Sequence, residues 1–249
     1  MNTTPTPTVA VLRTEGRLFT RELGSLFWIV LFPTALLSLL GAIPSFREPD
    51  AVGNQRVVDL YVPVSVLLSM IMASIMAMPP VLNGYRERGI LRRLRTTPMH
   101  PASILLAQVA LHAAAVVASA VLVIAVGRVV FDVPLPASIL GYAVAFVLAL
   151  AAVFSIGALI TAVSPNPRVG QTIGTIAFFP SMFTAGVYIP VQSLTGALRD
   201  VVVLTPLGAA AEALNDSLLG HFPDLLDLGV VAGWTAVLAL LAVRFFRWE

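Results

Sequence analysis

Glu212 and Asp216 stand four residues apart, one helical turn, and a paired-carboxylate hydrolase could be drawn from them. They sit among alanines and leucines, however, and a charged rim on a membrane bundle accounts for them without chemistry. His100, His112 and His221 are far apart and show no metal-ligand spacing. There is no cysteine, which removes disulfides, thiolate metal sites and cysteine nucleophiles together. All 15 basic residues are arginine, so a phosphate-cradling loop with its lysine and a Schiff-base lysine are both excluded. If ATP drives this protein, another chain holds it.

The elements that would carry these residues belong to a membrane. The chain has 249 residues, 58% hydrophobic and 11% charged, whereas a soluble domain carries about 25% charge. A hydrocarbon core of about 30 Å needs about 20 apolar residues per helix. Residues 23–43, 62–82, 103–126, 139–163 and 169–189 meet this without a charge. A sixth span, 228–246, has a shorter apolar stretch and reaches if Arg244 and Arg247 snorkel to the interface. The segments between these spans divide the arginines eleven to four, alternating loop by loop. The rich side holds Arg13, Arg17 and Arg21, the 83–98 loop, Arg168, and Arg244 with Arg247; the poor side holds Arg47, Arg56, Arg128 and Arg199. By the positive-inside rule both termini are cytoplasmic. The expected fold is therefore an all-α membrane protein of six transmembrane helices, forming a single domain over 1–249.

Two cytoplasmic elements stand out. Residues 9–22 read as an amphipathic interfacial helix, with Val9, Leu12, Phe19 and Leu23 on one face and Arg13, Arg17 and Arg21 stacked on another. Residues 83–98 hold Glu87-Arg88-Gly89, then a short helix with Ile90, Leu91 and Leu94 on one face and Arg88, Arg92 and Arg95 on another, stopped by Pro98. Arg93 completes the basic cluster. Attraction to anionic lipid explains the charge; a helix that transmits force from a soluble motor also explains the turn and the apolar face.

Inside the spans the pattern is one of absence. The first five carry no Asp, Glu, Lys or Arg, which argues against a self-powered secondary transporter or a charge-ringed channel. His112, with Gln108 one turn earlier, reads as a neutral imidazole bonded within the bundle. Gly170 and Gly174 form a small-xxx-small step in the fifth span, and Pro180 interrupts its ladder. Together with Thr175, Phe183 and Gly186 they are candidates for a dimer interface or substrate path, and Met72 and Met76 are candidates for an adaptable apolar wall. Residues 191–227 are too polar to span and too apolar to be a free loop, which suggests two half-dipped helices.

The run from Tyr85 to Pro98, with its Glu87, Gly89 and basic helix, closely resembles the cytoplasmic loop of ABC-2 type (type-2 ABC exporter) permeases, in particular the drug-resistance and antibiotic-efflux branch of daunorubicin-type permeases. Phe179-Pro180 through Gly186 to Pro190 resembles that family's Phe-Pro…Gly…Pro segment, and Val191–Leu214 its paired extracytoplasmic re-entrant helices. Asn215 departs from the basic residue of many relatives. The resemblance implies a coupling helix that docks on a separate ABC ATPase subunit holding ATP and Mg, with no cofactor on this chain. It also implies a second permease copy, as homodimer or paralogous heterodimer, in a bacterial inner membrane. Lipid is an expected partner and nucleic acid is not.

Overall fold

The structure, a computed structural model, describes residues 7–49, 55–90 and 102–246. Among them every regular element is helical, apart from one isolated bridge between Pro49 and Arg56. The helices are α1 (Pro7–Phe19), α2 (Leu23–Gly41), α3 (Val57–Glu87), α4 (Ala102–Phe131), α5 (Ile139–Val163), α6 (Pro167–Thr184), α7 (Gly196–Val203), α8 (Pro206–Leu218) and α9 (Leu225–Phe245). Five of them, α2, α3, α4, α5 and α9, are long and apolar enough to cross a membrane. This is a multi-pass membrane protein.

Helix α5 has the bounds the sequence predicts. Helix α3 does not: it starts five residues before 62 and runs unbroken through 82 into the expected loop. Its 31 residues span about 46 Å at 1.5 Å per residue, more than the hydrocarbon core. It is also the central element, with 89% of its apolar stretch buried against 11% for α9. Helices α2, α4, α5, α6 and α8 all pack on it.

Two π-helical turns interrupt this regularity, at Phe27–Leu31 in α2 and Met72–Ala77 in α3. Each precedes prolines: Pro33 in the first case, Pro79 and Pro80 in the second. A proline lacks the N–H of the ladder and its ring crowds the carbonyl four residues back. Those carbonyls belong to Ile29, Ile75 and Met76, all inside the widened turns, so the helix absorbs the clash without breaking.

Helix α6 differs most from expectation. Asn166 caps its start, accepting from the Val169 N–H at 2.9 Å, with Pro167 at the first position. Its first half carries Arg168, Gln171, Thr172 and Thr175, and its 18 residues are not among the apolar spans. It passes through Pro180 and stops at Thr184, five residues short of 189. Gly186 makes the stop: its φ of 85° is left-handed, its N–H donates to the Phe183 carbonyl, and the next N–H, of Val187, donates to that of Met182. In the 191–227 region, α7 lies at the surface while α8 is enclosed by α3, α5 and α9, with Leu207, Leu214 and Leu218 buried.

The loops at the far end from Glu87 are tied down by polar contacts. Arg56 bonds Asp59 at 2.6 Å and the Phe131 carbonyl at 3.0 Å, joining the start of α3 to the end of α4. Trp234 Nε1 donates to the Leu204 carbonyl at 2.9 Å, holding the end of α7 on α9.

Candidate functional site

The residues leading to the expected coupling loop form a socket. Tyr85 donates its hydroxyl to Glu15 Oε2 of α1 at 2.7 Å, and Gln108 Nε2 of α4 donates to the same oxygen at 2.6 Å. Glu15 is 8% exposed. A buried carboxylate demands donors, and here two helices supply them. One turn along each helix, Phe19 meets the edge of His112 with ring centroids 4.9 Å apart. His112 Nδ1 donates to the Gln108 carbonyl at 2.8 Å, within its own helix, and Nε2 is buried with no partner.

Arg86 turns the other way. Its Nη1 donates to the Ser164 carbonyl at 2.7 Å, just past α5, and its guanidinium lies 5.3 Å from the Phe246 ring at the end of α9. Arg88 folds back, Nε donating to the Gly84 carbonyl at 3.1 Å and the guanidinium 5.8 Å from the Tyr85 ring. Thus α1, α4, α5 and α9 all hold the last turn of α3. Glu87 and Arg88 are exposed beyond it. Gly89 then closes the helix with a φ of 67°, a conformation that costs other residues about 1–2 kcal/mol. Ile90 is described; Leu91, Arg92, Arg93 and Arg95 lie outside the described residues.

Arg13, Arg17 and Arg21 are exposed. Of the apolar face, Phe19 is buried against the bundle with Glu15 beside it, while Leu12 is 41% and Leu23 74% exposed. Sequence reasoning missed Glu15. The signal was present: Leu12, Glu15 and Phe19 share a stripe at i, i+3, i+7, and an acid on an apolar stripe asks for a buried partner.

A cleft of about 450 Å³ opens between α2, α3 and α6, lined by Gly24, Ser25, Trp28 and Ile29, by Met72, Met76 and Ala77, and by Phe178. It lies in the half of α2 nearer α1. Met72 and Met76 belong to the π turn of α3, one helical turn apart on one face, and so form its wall. Of the other path candidates, Gly170 and Gly174 face away from solvent: a Cβ on Gly174 would come within 2.8 Å of the Ile75 carbonyl oxygen, and one on Gly170 within 2.6 Å of Asn83 Nδ2. Both pack on α3 within the chain. Thr175 and Pro180 occupy the exposed side of α6, with Gln171, Thr172, Ile176 and Phe179. Phe183 is half-buried near the end of α6, and Gly186 serves its stop.

The carboxylate pair is not assembled for hydrolysis. Glu212 accepts from Arg199 at 2.8 Å and from Gln192 at 3.3 Å, which commits it to holding α7 on α8. Burial pushes the Asp216 carboxyl up from its ordinary range, partly offset by His221. Asn215, the departure noted above, is buried and accepts from Gln55 at 3.3 Å.

The apolar helices thus pack around one buried rod, with a polar socket at the rod's end and an apolar cleft at its side. Residues 7–219 match the ABC-2 type transporter family, and the chain belongs to it. It is the permease component of an ABC transporter, and the family implies an ABC ATPase subunit as partner. No curated protein matches the chain.

Proposed function

We propose that this chain is the transmembrane half of an ATP-driven exporter that moves a hydrophobic or amphipathic molecule, of the drug or antibiotic class or lipid-linked, out of the cytoplasm or inner leaflet. One observation carries the reading: α3 is a single buried helix that joins the Tyr85–Gly89 socket at one end to the Met72–Met76 wall of the cleft. Movement imposed on the loop after Gly89 by an ATPase therefore reaches the cleft through one continuous helix. Methionine and aromatic side chains suit cargo of varied apolar shape.

The exposed side of α6 supports pairing. Gln171, Thr172 and Thr175 would meet lipid in a lone copy, and polar groups inside a membrane face protein or a water-filled path. A second permease, identical or paralogous, covers that side and turns two clefts toward a shared route. Helix α6 then serves as the sixth span, α7 and α8 dip from the outer side, and both termini face the cytoplasm of a bacterial cell. A reporter fused after Ser138 or Leu204 should read extracytoplasmic and one after Glu249 cytoplasmic; the reverse would break this topology.

Coupling is tested in proteoliposomes with the partner ATPase. Glu87→Ala and the paired Arg92→Ala/Arg93→Ala variant should insert normally, keep most ATP hydrolysis and lose transport by about tenfold or more. Unchanged transport in both would remove the coupling role of residues 83–98. Transport by the purified chain alone, down an ion gradient, would replace the exporter reading with a secondary transporter.

A further inference from the structure

A second cleft, of about 280 Å³, lies away from the Met72–Met76 wall. Its floor is Met78 and Leu82 of α3 and Thr161 of α5, each buried. Its rims are Val109 of α4, 37% exposed, and Val243 of α9, 78% exposed, so it opens sideways between two helices. Phe246 closes the end on the loop side.

The lining is apolar apart from Thr161, whose hydroxyl donates to the Gly157 carbonyl, and a cation stands behind the closed end. Phe246 is the ring beneath the Arg86 guanidinium. Of the five N–H donors of that group, Nη1 is used by the Ser164 carbonyl, and Nε is buried without a partner. Arg244 is exposed two residues before Phe246. The residues of α3 that line the cleft, Met78 and Leu82, are four apart, about 6 Å of helix, and Arg86 lies one further turn toward the loop. The cleft thus has an open flank toward the bilayer and, one helical turn beyond the Phe246 end, a cation.

We propose that this cleft binds one anionic glycerophospholipid from the leaflet on the Arg86 side, with an acyl chain between α4 and α9 and the phosphate on Arg86. The phosphate fits because a guanidinium presents planar paired donors that match its oxygens. A zwitterionic lipid fits the groove but gains less at the head, where each basic residue favours negative charge by about 1 kcal/mol, or about fivefold. The bound chain also fills a void where α3, α5 and α9 meet the loop-side socket. This lipid is separate from any transported cargo, and the inference stands apart from the exporter reading.

The test is native mass spectrometry of the full-length protein released from nanodiscs of equal phosphatidylglycerol and phosphatidylcholine. Wild type should retain phosphatidylglycerol over phosphatidylcholine by about fivefold or more. Arg86→Gln should bring that ratio near one. Val109→Trp, at the rim of the cleft, and Ala158→Leu, inside it, should both lower total lipid retention. Equal retention of the two lipids by wild type overturns the headgroup assignment. Undiminished retention in Val109→Trp overturns the cleft as the site. The natural chain has no cysteine, so a Val243→Cys variant gives a clean further arm. A disulfide that joins two copies of that variant would show the groove covered by protein, and would also overturn the proposal; failure of the copies to link agrees with lipid.

Discussion

Replacing Gly157 with alanine should destabilise the bundle by about 3 kcal/mol, the upper part of the usual range for overpacking, and Gly157→Leu should prevent a folded protein from accumulating. A Cβ at Gly157 would fall on the carbonyl oxygen of Ser74, a backbone atom with no rotamer to yield. Ser74 is in the π turn of α3, and its hydroxyl donates to the Val153 carbonyl of α5 at 2.5 Å, so the two backbones are held together at this level. On the other side of the same turn Gly174 approaches the Ile75 carbonyl oxygen. The π turn pushes two successive carbonyls outward, and the neighbouring helices accept them only through glycine. Gly229→Ala and Gly233→Ala in α9 are the controls. Both positions look onto open space, and removing a helical glycine gains about 0.5–1 kcal/mol. Thermal unfolding in detergent should show a fall for Gly157→Ala and none for the α9 pair. Equal behaviour of all three would mean that α3 and α5 do not meet at this distance.

The spans were legible because their signal is strong and local. About 20 apolar residues with arginines outside them leave little choice, and α5 was read to the residue. Where neighbours set the outcome the sequence was less informative. The end of α3 could not be placed, because Asn83 and Tyr85 look like loop residues until α6 closes on the first and α1 and α4 surround the second. The helix stop at Gly186 was legible in kind but was read as part of a span, since Val187–Ile189 are apolar. Gly170 and Gly174 announced close approach but not the partner. The π turns could be anticipated from Pro33 and Pro79-Pro80 only by asking what the carbonyl four residues back must do. Of the candidate site, the exposed arginines of α1 were visible as a stripe, and the residue that docks α1 was hidden beside them.

That residue carries the second large effect. Glu15→Ala should cost about 3 kcal/mol or more, because two hydrogen bonds to a charged acceptor are lost, each worth about 1.5–3 kcal/mol, and the Gln108 amide stays buried without that acceptor. Tyr85→Phe removes one donor and leaves Gln108 to serve the carboxylate, so its cost should be about half. The triple variant Glu15→Leu, Tyr85→Phe, Gln108→Leu replaces every partner by an apolar one and should recover most of the stability. Function separates two roles that stability alone does not. If α1 only anchors the bundle in the interface, the triple variant transports as wild type does. If the Glu15–Tyr85 bond fixes the end of α3 so that movement after Gly89 passes along the helix, the triple variant stays folded and hydrolyses ATP with its partner, yet moves less cargo per ATP. The geometry favours the second outcome. Tyr85 is four residues before Gly89, and its hydroxyl ties that turn of α3 directly to α1, while Gln108 ties α4 to the same oxygen. Transport per ATP unchanged in the triple variant would confine Glu15 to anchoring.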